Sequence, residues 1–119
     1  MPGVRLYIAK IPYIGGILSE NSYKFSNKCT KPYVRWWMKT LATKVKVLKV
    51  PISPYYQINV YGEFLNESRP DIPNLFKVIS DAIEDGLGIN DKYFRLVDKG
   101  YSLGYTNQSL NITIIPLEE

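Results

Sequence analysis

Between Pro32 and Pro51 the apolar residues Val34, Trp37, Met38, Leu41, Ala42, Val45 and Leu48 recur at i, i+3, i+4, i+7 spacing. That spacing lays them along one stripe of an α-helix, so the stretch folds only if another surface covers the stripe. Proline suits a first helical turn, where its missing N–H leaves nothing unpaired, and it stops a helix that reaches it from the other end. Thr30 takes the N-cap position. The covering surface comes from four segments with strand character: Val4–Ile8, Tyr56–Phe64, Phe94–Val97 and Leu110–Ile115. In the second of these, Ile58, Val60, Gly62 and Phe64 alternate with Gln57, Asn59, Tyr61 and Glu63, the pattern of a half-buried strand. A second helix starts near Pro73. It buries Leu75, Val78, Ile79, Ala82 and Ile83, turns Asn74, Lys77, Asp81, Glu84 and Asp85 outward, and ends at Gly86 and Gly88. Residues 12–31 read as a long loop. The order β-α-β-α-β-β predicts one small α/β domain of the α+β type, a mixed sheet with two helices, and 119 residues suffice for one such core.

What the chain lacks narrows its chemistry. It has no His and one Cys, Cys29. A zinc site built on His and Cys is excluded, as are Ser-His and Cys-His nucleophiles and any internal disulfide. Hydrolysis here would run on carboxylates, lysine and a hard cation. No stretch approaches the ~20 apolar residues of a membrane span, and the N-terminal segment makes a poor signal peptide. The expectation is a cytoplasmic protein with no membrane partner and no organic cofactor, in a host's cytoplasm if the source is a virus or prophage.

Charge is divided along the chain. From Asn21 to Gly62 there is no acid, while Lys24, Lys28, Lys31, Arg35, Lys39, Lys44, Lys46 and Lys49 fall within it. The acids gather later, at Glu63, Glu67, Asp71, Asp81, Glu84, Asp85, Asp91 and Asp98. A basic half facing a polyanion and an acidic half holding a cation is one reading, and a solvated lysine face is the other. Trp37 falls on the apolar stripe of the first helix; Trp36 falls outside it and reads as a core or dimer residue rather than as a base-stacking wedge. The ten tyrosines read mostly as half-buried strand residues.

The segment Arg69-Pro70-Asp71-Ile72-Pro73-Asn74-Leu75-Phe76-Lys77, then Asp81-Ala82-Ile83, then Asn90-Asp91, carries the most specific signal. It resembles the RusA family of Holliday junction resolvases, whose members read Asp-x-Asp-Asn-x-x-Lys, then Asp-Ala-Leu, then Asp-Asp. Asp71, Asn74, Lys77, Asp81, Ala82 and Asp91 stand at matching positions. Pro73 replaces the second motif aspartate, and Asn90 replaces the first of the doublet. The likeness is tight from Arg69 to Phe94 and looser elsewhere.

The resemblance implies a single RusA-like endonuclease domain over residues 1–119. It would resolve four-way DNA junctions by paired phosphodiester hydrolysis, as a homodimer, with Mg²⁺ (or Mn²⁺ in its place). It assigns Asp71 and Asp91 to the metal and Asp71, Asp91 and Lys77 to catalysis. Two carboxylates plus substrate phosphate can hold Mg²⁺, and lysine charge supports a phosphoryl transition state. Glu63, Glu67 or Asp81 could stand in for the carboxylate missing at Pro73. Arg35, Lys39, Lys46, Arg69 and Lys77 are the expected nucleic-acid contacts. Each residue also has a plainer reading: Asp71 as a helix-capping acid, Lys77 and Asp81 as an i, i+4 ion pair, Asp91 as a turn residue. Two rival functions follow, a DNA-binding module without catalysis and a basic factor that docks on an acidic protein.

Overall fold

The computed structural model describes residues 5–19 and 31–118, and the elements follow the expected order. They are β1 (Tyr7–Pro12), α1 (Pro32–Leu48), β2 (Tyr55–Glu63), α2 (Phe76–Leu87), β3 (Phe94–Ser102) and β4 (Ser109–Leu117). Short 3-10 turns occupy Gly16–Leu18, Ile72–Leu75 and Asp91–Tyr93. The strands form one mixed sheet in the order β1-β4-β2-β3. β4 runs antiparallel to both β1 and β2, whereas β3 runs parallel to β2. A parallel pair needs a crossover connection, and α2 supplies it.

Both helices cover one face of the sheet. Ala9, Ile11, Tyr56, Ile58, Val60, Leu110, Ile112 and Ile114 point into the core with Val34, Trp37, Leu41 and Val45 of α1 and Val78, Ile79, Ala82 and Ile83 of α2. Trp37 is fully buried, and its indole Nε1 donates to the Pro12 carbonyl at 2.7 Å, which ties α1 to the end of β1. The opposite face of β2, with Gln57, Asn59, Tyr61 and Glu63, is half-buried.

Close approach of the helices depends on Gly86. A Cβ there would stand 2.8 Å from the Ala42 carbonyl oxygen and 2.9 Å from Val45 Cβ. One turn end later, Gly88 adopts φ +71° and donates its N–H to the Glu84 carbonyl at 2.8 Å. A left-handed cap of this kind reverses the chain at little cost when the residue is glycine.

Four sequence expectations need correction. Among the described residues the first strand is Tyr7–Pro12, beyond the expected end at Ile8, because Ala9 and Ile11 take the inward positions opposite β4 and leave Leu6 and Ile8 exposed; Val4 lies outside the described residues. β3 extends to Ser102, well beyond Val97, held by pairing with β2 through Glu63↔Ser102. Its polar second half hides that pairing from periodicity. Trp36 is not a core residue: it is 56% exposed and stacks on Tyr33. Lys31, without a side-chain cap bond, precedes α1 at the N-cap. Thr30, Cys29, Lys24 and Lys28 lie outside the described residues.

Candidate metal site and the groove beside it

Helical spacing places Lys77, Asp81 and Glu84 on one face of α2, at i, i+4 and i+7. The left-handed Gly88 cap brings the following turn back beside that face. As a result one oxygen each from Asp81, Glu84 and Asp91 lie within 4.8 Å of one another. Asn90 shapes the turn by accepting the Lys92 N–H on its side chain at 2.9 Å. Lys77 reaches Asp81 at 3.4 Å, so a cation already borders the cluster. The donor set fits a hard divalent ion. Two oxygens on opposite sides of one Mg²⁺ stand about 4.2 Å apart, and carboxylates are its usual protein ligands. The acidic residues Asp81, Glu84 and Asp91 can therefore hold a metal ion.

Asp71 stands outside this cluster. It precedes the 3-10 turn at Ile72–Leu75, and roughly 15 Å of helical rise separates it from Asp81. Its carboxylate lies 3.9 Å from the Arg69 guanidinium and is largely exposed. Together with Asp98, Tyr101, Pro73 and Asn74 it lines a separate shallow pocket. The sequence reading that Asp71 and Asp91 converge is corrected accordingly: Asp91 comes together with Asp81 and Glu84, and Asp71 with Arg69. The reason is the Gly88 reversal, which carries Asp91 to the middle of α2 rather than to its N-terminal end. Of the three suggested stand-in carboxylates, Asp81 is at the cluster. Glu63 instead bonds Lys10 at 3.0 Å and Ser109 at 2.9 Å on the open face of the sheet.

The expected DNA contacts divide in a similar way. Arg35 and Lys39, one turn apart on α1, line a groove whose other wall is Asp81, Ala82 and Asp85 of α2, with Met38 at its floor. Both cations thus stand next to the acidic cluster. Lys46 lies further along α1 and is exposed. Arg69 is committed locally. Its guanidinium covers the Tyr101 ring at 3.7 Å, Nη1 donates to the Pro70 carbonyl at 3.0 Å, and its side chain is 24% exposed. That packing makes it a brace for the Asp71 loop. Glu84 was not singled out by the sequence, although its i, i+3 spacing from Asp81 was there to be read.

Among the described residues no helix is long and apolar enough to cross a membrane. No family model and no curated protein matches this chain. Among solved structures, IspF of Plasmodium falciparum in its CDP complex is similar with a TM-score of 0.39 and 19% identity, over 73% of this chain. The chain spans 61% of that protein's length, and a likeness this slight carries no inference about chemistry.

Proposed function

We propose that this chain is a Mg²⁺-dependent, structure-selective DNA endonuclease of the RusA type, which resolves four-way junctions by paired phosphodiester hydrolysis in recombination and repair. It would act in the cytoplasm as a homodimer, whose two-fold axis matches the two opposed strands to be cut. One observation carries the reading. The motif residues Lys77, Asp81 and Asp91 meet at one place, with Glu84 completing a three-carboxylate set, and the cations Arg35 and Lys39 line the adjoining groove.

Each group then has a task. Asp81, Glu84 and Asp91 offer oxygens to Mg²⁺, with Mn²⁺ as a substitute. A divalent ion bound there would supply positive charge to the scissile phosphate and acidify water. Arg35 and Lys39 hold phosphates of the strand that enters the groove. Hydrolysis joins a water oxygen to phosphorus, breaks the bond to one bridging oxygen and leaves that oxygen to take up a proton. Lys77, beside Asp81, opposes the negative charge that develops on the phosphoryl group. Asp71 has no task in this scheme beyond holding its loop through Arg69.

A second reading is favoured by Pro73, which puts a ring where the resembled family has a carboxylate. On that reading the chain is a DNA-binding module whose metal site has weakened. Incubation with a synthetic four-way junction, with and without Mg²⁺ or Mn²⁺, separates the two. Symmetric metal-dependent cuts are expected. Junction binding with no cut in either metal would leave only the module.

A further inference from the structure

Tyr33 and Trp36 sit one turn apart on α1, each 56% exposed. Their rings are stacked, with centroids 5.8 Å apart and planes within 9° of parallel, and both side chains are open to solvent. The Thr40 hydroxyl donates to the Trp36 carbonyl at 2.9 Å on the same outer stripe. The charge that α1 itself carries is of one sign, although Arg35 and Lys39 face Asp81 and Asp85 of α2 across the groove. α1 contains Arg35, Lys39, Lys44 and Lys46 and no acid. At 100° per residue, Arg35, Lys39 and Lys46 fall within roughly 40° of each other on one side of the aromatic pair, and Lys44 falls on the other.

We infer that Tyr33 and Trp36 are a stacking platform for unpaired nucleobases, with the flanking cations of α1 holding the phosphates of the same strand. The inference rests on the nucleic-acid half of the function proposed above and adds to it the class of strand that is recognised. Bases stack on aromatic rings whatever their identity, and a cationic surround follows the backbone. A four-way junction is paired throughout its arms and offers such bases only where a pair at the branch point opens. Charge argues against a second copy of the chain as the occupant. A two-fold contact through this stripe would set two acid-free cationic helices against each other, and like charges facing across an interface oppose association.

Indole fluorescence reads the contact directly, because Trp37 is fully buried and Trp36 is exposed. The intact protein is titrated in EDTA, so that no cutting occurs, with short oligothymidylate, oligouridylate and an abasic deoxy strand of equal length. Quenching by the strands that carry bases is expected. Whichever of the two binds more tightly identifies DNA or RNA as the source of the bases. Trp36→Leu and Tyr33→Leu should each weaken base-bearing strands by roughly ten- to a hundredfold and leave abasic binding unchanged. Trp36→Phe, which keeps a ring, should retain most of the affinity while the quench disappears. Equal binding of abasic and base-bearing strands would overturn the platform, as would unaltered affinity in both leucine variants. So would self-association that Trp36→Leu abolishes, since a second copy would then cover the rings. Junction cleavage in Mg²⁺ is scored separately. Cutting without base-dependent quenching defeats the platform alone, and quenching without cutting defeats the nuclease alone.

Discussion

Asp71 and Asp91 belong to the same sequence motif, yet the structure treats them differently. Asp71 sits with a cation: Arg69 is 3.9 Å away and is itself packed on Tyr101. Asp91 sits with two other acids, their oxygens within 4.8 Å. Glu63, on the open sheet face, resembles Asp71 in this respect, since Lys10 and Ser109 both bond its carboxylate. A cation partner alone does not separate the two regions, since Asp81 of the cluster is itself 3.4 Å from Lys77; the crowding of acids does. Three carboxylates drawn together repel one another, and a divalent cation is the natural balance for such a set. The contrast makes the α2 face, and not the Asp71 loop, the place to look for chemistry.

The largest effect should come from testing that contrast directly. Asp91→Asn is expected to bring junction cleavage down to background while junction binding stays intact or tightens, because it removes negative charge from a surface that meets phosphate. Asp71→Asn should cleave close to the wild-type rate. Single-turnover rates on a labelled junction decide it, and equal loss in both variants would extend the site to the Asp71 loop. Next comes Lys77→Ala, with a rate loss of roughly 10²-fold if its charge supports the transition state. Its ion pair with Asp81 is worth only ~0.3–0.5 kcal/mol to the helix, so the melting temperature should scarcely move. An unchanged rate would reduce Lys77 to a surface partner.

Smaller effects sharpen the comparison from the side of the scaffold. Gly86→Ala forces a methyl group against the Ala42 carbonyl and Val45, and overpacking of this kind costs about 1–3 kcal/mol. Urea denaturation should show that loss, together with weaker binding in the groove the two helices form. Arg35→Ala combined with Lys39→Ala should flatten the salt dependence of junction binding by about 0.9 in slope for each phosphate contact removed. A slope equal to wild type would place DNA elsewhere.

Glu63 gives the smallest effect. The Lys10 bond, then the Ser109 bond, hold its carboxyl below the usual carboxylate range. Its folded value is therefore lower than its unfolded one, and its contribution to stability is fully present above the unfolded value and lost as pH falls through the folded one. The melting-temperature gap between wild type and Glu63→Gln should accordingly be present at neutral pH and close in strong acid. A gap that persists at the acid end would mean that the Lys10 bond is not its source.

Local pattern alone determined much of this molecule. The periodic stripes of α1 and α2 and the alternation of β2 and β4 are local consequences of burying one face; α1, β2 and β4 appear within about two residues of where periodicity puts them, while α2 starts at Phe76 after a 3-10 turn at Ile72–Leu75 and runs through Gly86 to Leu87. The absence of His by itself removes whole classes of chemistry. Spacing on α2 aligned Lys77, Asp81 and Glu84. Tertiary structure decided the rest, because it depends on contacts between residues distant in sequence. Pairing with β4 set the true start of β1, and pairing with β2 drew the polar half of β3 into the sheet. Packing of α1 on α2 through Gly86 set Arg35 and Lys39 beside Asp81. The reversal at Gly88 chose which acids meet: a helix terminator is legible in one dimension, but the direction in which the chain leaves it depends on what it packs against. That direction put Asp91 beside Asp81 and Glu84 and left Asp71 with Arg69.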